Sequence, residues 1–174
     1  MLNLKIIIGN TRPGRAADRV IPWITATFRE HGDFDVDVLD LRDWPLPLFG
    51  ETFATVGDPH DPTFSVPVVK RWNAKIAEGD AYLFITREYN NSIPAVLKNA
   101  VDNVFTTFAF RGKPAAYVGC SGGIRAIAIE AEMIPLRNSV IIPSVHSAFG
   151  APDSPTTRAP APPRISSSTT WPGG

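Results

Sequence analysis

The segment Leu4-Lys5-Ile6-Ile7-Ile8-Gly9-Asn10-Thr11-Arg12-Pro13-Gly14-Arg15 decides the fold. Its first five residues are a mostly apolar run ended by glycine, the pattern of a strand covered on both faces. Its last seven make a polar turn rich in glycine, amide, hydroxyl and arginine groups. A helical pattern follows. From about Ala16 to His31, the residues Val20, Trp23, Ile24 and Phe28 recur at helix spacing, with Pro22 near the first turns. A buried strand that passes through a polar turn into a helix is the repeating unit of a parallel sheet.

The alternation continues outward. Val36–Leu41 reads as a second strand. The stretch Arg42–Ser65 holds four prolines and little periodicity, so a long loop is expected; loops of that length are uncommon and often functional. Pro67 suits the first position of a helix over Val68–Glu78. Ala81–Thr86 is the third strand. Asn91 or Ser92 is expected to cap a third helix that has Pro94 in its first turn and runs to about Val104. Phe105, Phe108 and Phe110 beyond it suit either a dimer contact or the core, and the core is the preferred assignment. Ala115–Gly119 is the fourth strand, Ile124 to about Leu136 a fourth helix, and Ser139–Val145 the fifth strand. The alternation implies a parallel sheet with right-handed crossovers, and five strands with three polar loops at their carboxyl ends suggest a flavodoxin-like, three-layer, doubly wound five-stranded parallel sheet of order 2-1-3-4-5. Ligands of such sheets lie beside the carboxyl ends of the strands, at the switch in strand order.

Composition narrows the function. The chain has 174 residues, 44% of them apolar, enough for one domain without a disulfide or metal staple. Seventeen Lys and Arg balance 17 Asp and Glu, whereas nucleic-acid modules usually carry a basic excess. A single cysteine, Cys120, excludes an internal disulfide and a Cys-rich zinc site. No stretch reaches the ~18–20 apolar residues that span a bilayer, and the N-terminus lacks the features of a signal peptide, so a cytoplasmic protein is expected. Six of the 17 prolines fall in the last 24 residues, among Ser, Thr and Gly. The expected organisation is a domain over residues 1–150 and an unpacked tail over 151–174.

Three polar loops stand at strand ends. In the first, Gly9 to Arg15, backbone N–H groups at a helix start favour an anion and the arginines can grip phosphate. The loop has neither the Gly-Lys-Ser/Thr of a triphosphate site nor Gly-x-Gly-x-x-Gly, so a single terminal phosphate fits it better. The second is Thr86-Arg87-Glu88-Tyr89-Asn90-Asn91-Ser92, where Tyr89 offers an aromatic plane and Asn90 paired donor and acceptor groups. The third is Gly119-Cys120-Ser121-Gly122-Gly123-Ile124-Arg125-Ala126, whose small residues admit a flat ring against the backbone. It also fits the Gly-x-Ser-x-Gly elbow of serine hydrolases. Those enzymes place an acid and then a histidine after the serine. Here His146 follows Ser121, but Asp153 lies beyond it, so a hydrolase is disfavoured.

Together these loops resemble the NAD(P)H-dependent FMN reductase family, which includes quinone and chromate reductases. The likeness rests on Gly9-Asn10-Thr11-Arg12-Pro13-Gly14-Arg15, on Thr86-Arg87-Glu88-Tyr89-Asn90-Asn91-Ser92-Ile93-Pro94-Ala95-Val96-Leu97-Lys98-Asn99-Ala100-Val101-Asp102, and on Gly122-Gly123-Ile124-Arg125-Ala126. Leu46-Pro47-Leu48-Phe49 is similar to the family's loop after strand 2. The resemblance implies bound FMN, NADPH or NADH as electron donor, a small-molecule electron acceptor, and a homodimer or homotetramer. No nucleic acid or membrane partner is implied. The implied cofactor-binding residues are Gly9, Asn10, Thr11, Arg12, Arg15, Arg87, Glu88, Tyr89, Asn90, Ser121, Gly122 and Gly123. Thr11, Arg12 and Arg15 would hold the phosphate. Glu88, Tyr89 and Asn90 would line the isoalloxazine, with Gly122 and Gly123 at its pyrimidine edge. The flavin carries the chemistry, so no catalytic side chain and no metal are expected.

Three departures stand out. Asn10 replaces the family's serine, and Arg87 replaces a proline. The third is the end. The family's last helix is expected to be missing or replaced here, because 151–174 has five apolar residues and no helical stripe. A flavodoxin-like electron carrier without NAD(P)H activity, and an inactive relic, are the alternatives.

Overall fold

In β1 (Leu2–Ile8) alternate side chains feed two different cores, so the strand must be covered on both faces. The structure, a computed structural model, describes residues 1–119 and 141–142. The further strands are β2 (Phe34–Asp40), β3 (Ala81–Thr86), β4 (Ala115–Gly119) and β5 (Ile141–Ile142). All pair in parallel, in the order β2-β1-β3-β4-β5, the order expected of the sequence. The expected fourth helix and the tail lie outside the described residues.

Leu4, Ile6 and Ile8 face α1 (Ala17–His31), packing with Val20, Ile24, Leu83, Ile85 and Val118. Pro22 sits inside α1, and Gly32 closes it in the left-handed conformation at φ 83°. Ile7 faces the opposite way, toward α3 (Pro67–Ala77) and α4 (Ala95–Asp102), with Trp72, Ile76, Phe84, Leu97 and Tyr117. The Trp72 indole donates to the Ala100 carbonyl at 2.8 Å and ties α3 to α4.

Lys5 shares the Ile7 face and is 1% exposed. Such burial requires a partner for the charge. Lys5 Nζ meets Asp37 at 2.8 Å and Glu78 at 2.9 Å, and Lys75 bridges the same two carboxylates. Burial works to raise the Asp37 pKa, but hydrogen bonds from Lys5 and Lys75 hold it below the usual carboxylate range. The hydrogen bond from Lys5 does the same for Glu78.

Three local expectations change. The long loop contains a short helix, α2 (Phe53–Val56), started by a Thr52/Thr55 capping box. Its ends are stitched by Glu51, which accepts from Thr55 Oγ1 at 2.7 Å and Ser65 Oγ at 2.6 Å. Second, neither Asn91 nor Ser92 caps α4. Asn90 (φ 50°) and Asn91 (φ 62°) are both left-handed, and Tyr89 and Ser92 exchange backbone hydrogen bonds across them. That two-residue turn uses the residues that would have capped, and α4 starts only after Pro94. Third, only Phe110 of the three phenylalanines is core. Phe105 and Phe108 are 54% and 43% exposed.

Candidate functional site

The carboxyl ends of β1 and β3 place two of the three polar loops side by side. The guanidinium of Arg12 lies 5.6 Å from the centre of the Tyr89 ring, a cation–π contact that joins the loops directly. Arg87, Glu88 and Tyr89 are half-buried, while Asn90 is exposed at the tip of its turn. Ser121, Gly122 and Gly123 lie outside the described residues, as do Cys120 and His146.

Gly9 is required by packing. A Cβ there would stand 2.5 Å from Leu97 Cδ2 and 3.3 Å from the Ile85 carbonyl oxygen. The glycine lets α4 press against the end of β1. Asn10 beside it is 1% exposed, and neither of its amide atoms has a partner among the described residues. Thr86, at the end of β3, is likewise buried, and its hydroxyl has no partner among the described residues. Buried polar groups are ordinarily satisfied. The two groups stand at the ends of adjacent strands, where a polar ligand would satisfy them.

Arg15 differs from its expected role. Its side chain is 2% exposed and clasps Asp40 in a two-pronged pair, while Nε donates to Asp18 at 2.7 Å and Nη1 also donates to the Asn10 carbonyl at 2.7 Å. The hydrogen bond that Arg15 donates to Asp40 raises the Arg15 pKa above its ordinary value. Burial acts to raise the Asp40 pKa, but Arg15 holds it below the carboxylate range. Arg15 is thus occupied inside the protein, and Arg12 is the exposed arginine of the loop.

Arg42, just after β2, was not among the expected site residues. It donates to the Arg12 carbonyl at 2.8 Å and the Thr11 carbonyl at 3.4 Å. Asn99 was also missed as a site residue. Its Nδ2 donates to the carbonyls of Leu46 (3.2 Å) and Pro47 (2.9 Å), and its Oδ1 accepts from the Phe49 N–H at 2.9 Å. It fastens the loop after β2 to α4. The run of prolines between Asp40 and Ser65 was the available signal, since such a loop offers carbonyls in need of donors.

The residues present fit FMN. An exposed arginine and buried amide suit a phosphate, and an aromatic ring on the adjacent loop suits a flat heterocycle. Among the described residues no group of three His, Cys, Asp or Glu side chains is placed to hold a metal.

The sheet order and the loops at its carboxyl edge define a flavodoxin-like α/β protein. Residues 2–153 match the NADPH-dependent FMN reductase family, and the chain belongs to that family. It is 32% identical over 126 residues to an NAD(P)H-dependent FMN reductase of Schizosaccharomyces pombe, covering 68% of this chain and 58% of that one. It is 38% identical over 81 residues to a quinone reductase of Pseudomonas putida, covering 45% of this chain and 40% of that one. An azoreductase structure from Bacillus anthracis has the same fold, with a TM-score of 0.67 at 21% identity over 86% of this chain and 89% of that one. The chain thus spans somewhat more than half of the yeast relative, and the resemblance read from the three loops is borne out at the level of family.

Proposed function

We propose that this protein is an FMN-dependent oxidoreductase that takes electrons from NADPH or NADH and passes them to a flavin, a quinone or a similar small acceptor. The observation that carries this reading is the meeting of Arg12 and Tyr89 beside the buried Asn10, unpartnered among the described residues. Bound FMN supplies the two-electron chemistry between donor and acceptor. Asn10, Thr11 and Arg12 hold its phosphate, and Arg15 supports them from within. Glu88, Tyr89 and Asn90 line the ring, and Ser121, Gly122 and Gly123 complete the site from the third loop. Arg87 places a positive charge near that end and favours the negative charge that electron transfer brings. An Arg87→Pro variant with an unchanged FMN reduction potential would remove that role.

Residues 1–150 form the flavin-binding domain in this reading, with 151–174 as a tail. Among the described residues no helix is long and apolar enough to cross a membrane, and we place the protein in the cytoplasm. Phe53, Phe105 and Phe108 form an exposed aromatic cluster, supported by Phe49. Exposed apolar patches mark interaction surfaces, and this one is proposed as the contact of a homodimer or homotetramer. The activity is tested by adding NADPH or NADH anaerobically to the purified flavoprotein, then a quinone.

A further inference from the structure

The phosphate loop has an uneven arrangement of its peptide groups. The carbonyl of Asn10 is drawn to Arg15, and those of Thr11 and Arg12 are drawn to Arg42. All peptide bonds here are trans. In a trans peptide the C=O of one residue and the N–H of the next point in opposite directions. The Asn10 carbonyl turns toward the buried Arg15 and the Thr11 carbonyl toward the exposed Arg42, so the N–H groups of Thr11 and Arg12 turn away from these two guanidinium groups. The third peptide leads into Pro13, which has no N–H to present. Neither the Thr11 nor the Arg12 N–H has a backbone acceptor among the described residues.

Both arginines are themselves held. Asp40 grips Arg15 in two-pronged fashion, and its Oδ1 accepts the Arg42 backbone N–H at 3.0 Å. Asp18 contacts both guanidinium groups, at 2.7 Å and 3.6 Å. One carboxylate at the end of β2 thus holds the Arg15 guanidinium and the Arg42 backbone, and the two arginines between them engage three consecutive carbonyls of the loop.

We propose that Asp40, acting through Arg15 and Arg42, is a positioning residue that presets the Asn10–Arg12 loop as a donor cradle for the FMN phosphate. The proposal rests on the phosphate reading of this loop given above. It has a consequence of unusual sign. Asp40 is negative and close to the loop that receives a dianion. If only Coulomb's law mattered, removing its charge would tighten phosphate binding. If Asp40 orients the loop, removing its charge weakens binding, because Arg15 keeps only its Asp18 pair, loses the two-pronged clasp that fixes its fork, and no longer holds the Asn10 carbonyl in place.

The test uses the full chain stripped of flavin, titrated with FMN and with riboflavin, which lacks the phosphate. The ratio of the two affinities isolates the phosphate. In Asp40→Asn this ratio is expected to fall about tenfold, the loss of roughly one charge-assisted hydrogen bond. Riboflavin binding is expected to be retained, which general damage to the fold would not allow. An unchanged or larger ratio overturns the proposal. Should Asp40→Asn not fold, Arg42→Lys serves, since its side chain is 36% exposed. It keeps the charge but cannot span two carbonyls as the guanidinium fork does. The ratio is expected to fall there too, and an unchanged ratio overturns the proposal. A wild-type protein that binds FMN and riboflavin equally overturns the phosphate reading itself, and the proposal with it.

Discussion

Gly9 and Asn10 are neighbours with unrelated tasks. Gly9 exists because Leu97 and the Ile85 carbonyl occupy the space of a side chain. Leu97 is fully buried and cannot yield. Gly9→Ala is therefore expected to cost about 1–3 kcal/mol, as overpacking does, measured as a lowered urea midpoint. An unshifted midpoint would show that the contact relaxes freely. Asn10, by contrast, is a small buried amide without a partner among the described residues. Both residues are visible in the sequence as part of a polar turn, but their division of labour is not. Packing against α4 arises from a residue 88 positions away, which no local pattern records. Arg15 makes the same point. Its spacing suits a phosphate, yet Asp40 claims it, because the end of β2 lies beside the end of β1 in the sheet.

At the scale of elements, strands were the most legible part. β3 and β4 have the bounds that their apolar runs suggest, since a strand covered on both faces has few polar interruptions. Lys5 interrupts β1 without breaking it, because Asp37 and Glu78 reach in from β2 and the end of α3. The start of α4 was misplaced for a definite reason. Asn and Ser serve equally as helix caps and as turn formers, and here two left-handed asparagines make the turn. The loop after β2 was read as irregular, and its order depends on distant partners. Asn99 supplies three of its hydrogen bonds. Asn99→Ala strands the Phe49 N–H and the Leu46 carbonyl. An expected loss of about 1–2 kcal/mol should accompany faster proteolysis within residues 46–49. Unchanged cleavage would mean that the loop holds itself.

At the scale of the whole molecule, the strand order followed from reading five alternating strands with three polar loops at their ends as a flavodoxin-like sheet, and that order brings the loops after β1 and β3 together. The aromatic surface was legible only in part, as the less favoured of two readings of Phe105, Phe108 and Phe110. Phe105 and Phe108 have the composition of core residues, and only their place after α4, over Phe53, leaves them facing water. If this surface joins subunits, Phe105→Asp should elute as a monomer with its flavin still bound. An elution volume equal to that of the unaltered protein contradicts the assignment.

The proposed function rests on a flavin that exchanges electrons with a nicotinamide. The most direct measurement is the flavin absorbance of the purified protein as NADPH or NADH is added without oxygen. The account predicts a bound flavin whose absorbance bleaches in proportion to the nucleotide added and returns when a quinone follows. Bound flavin that neither nucleotide bleaches, or a protein that takes up no flavin, contradicts it.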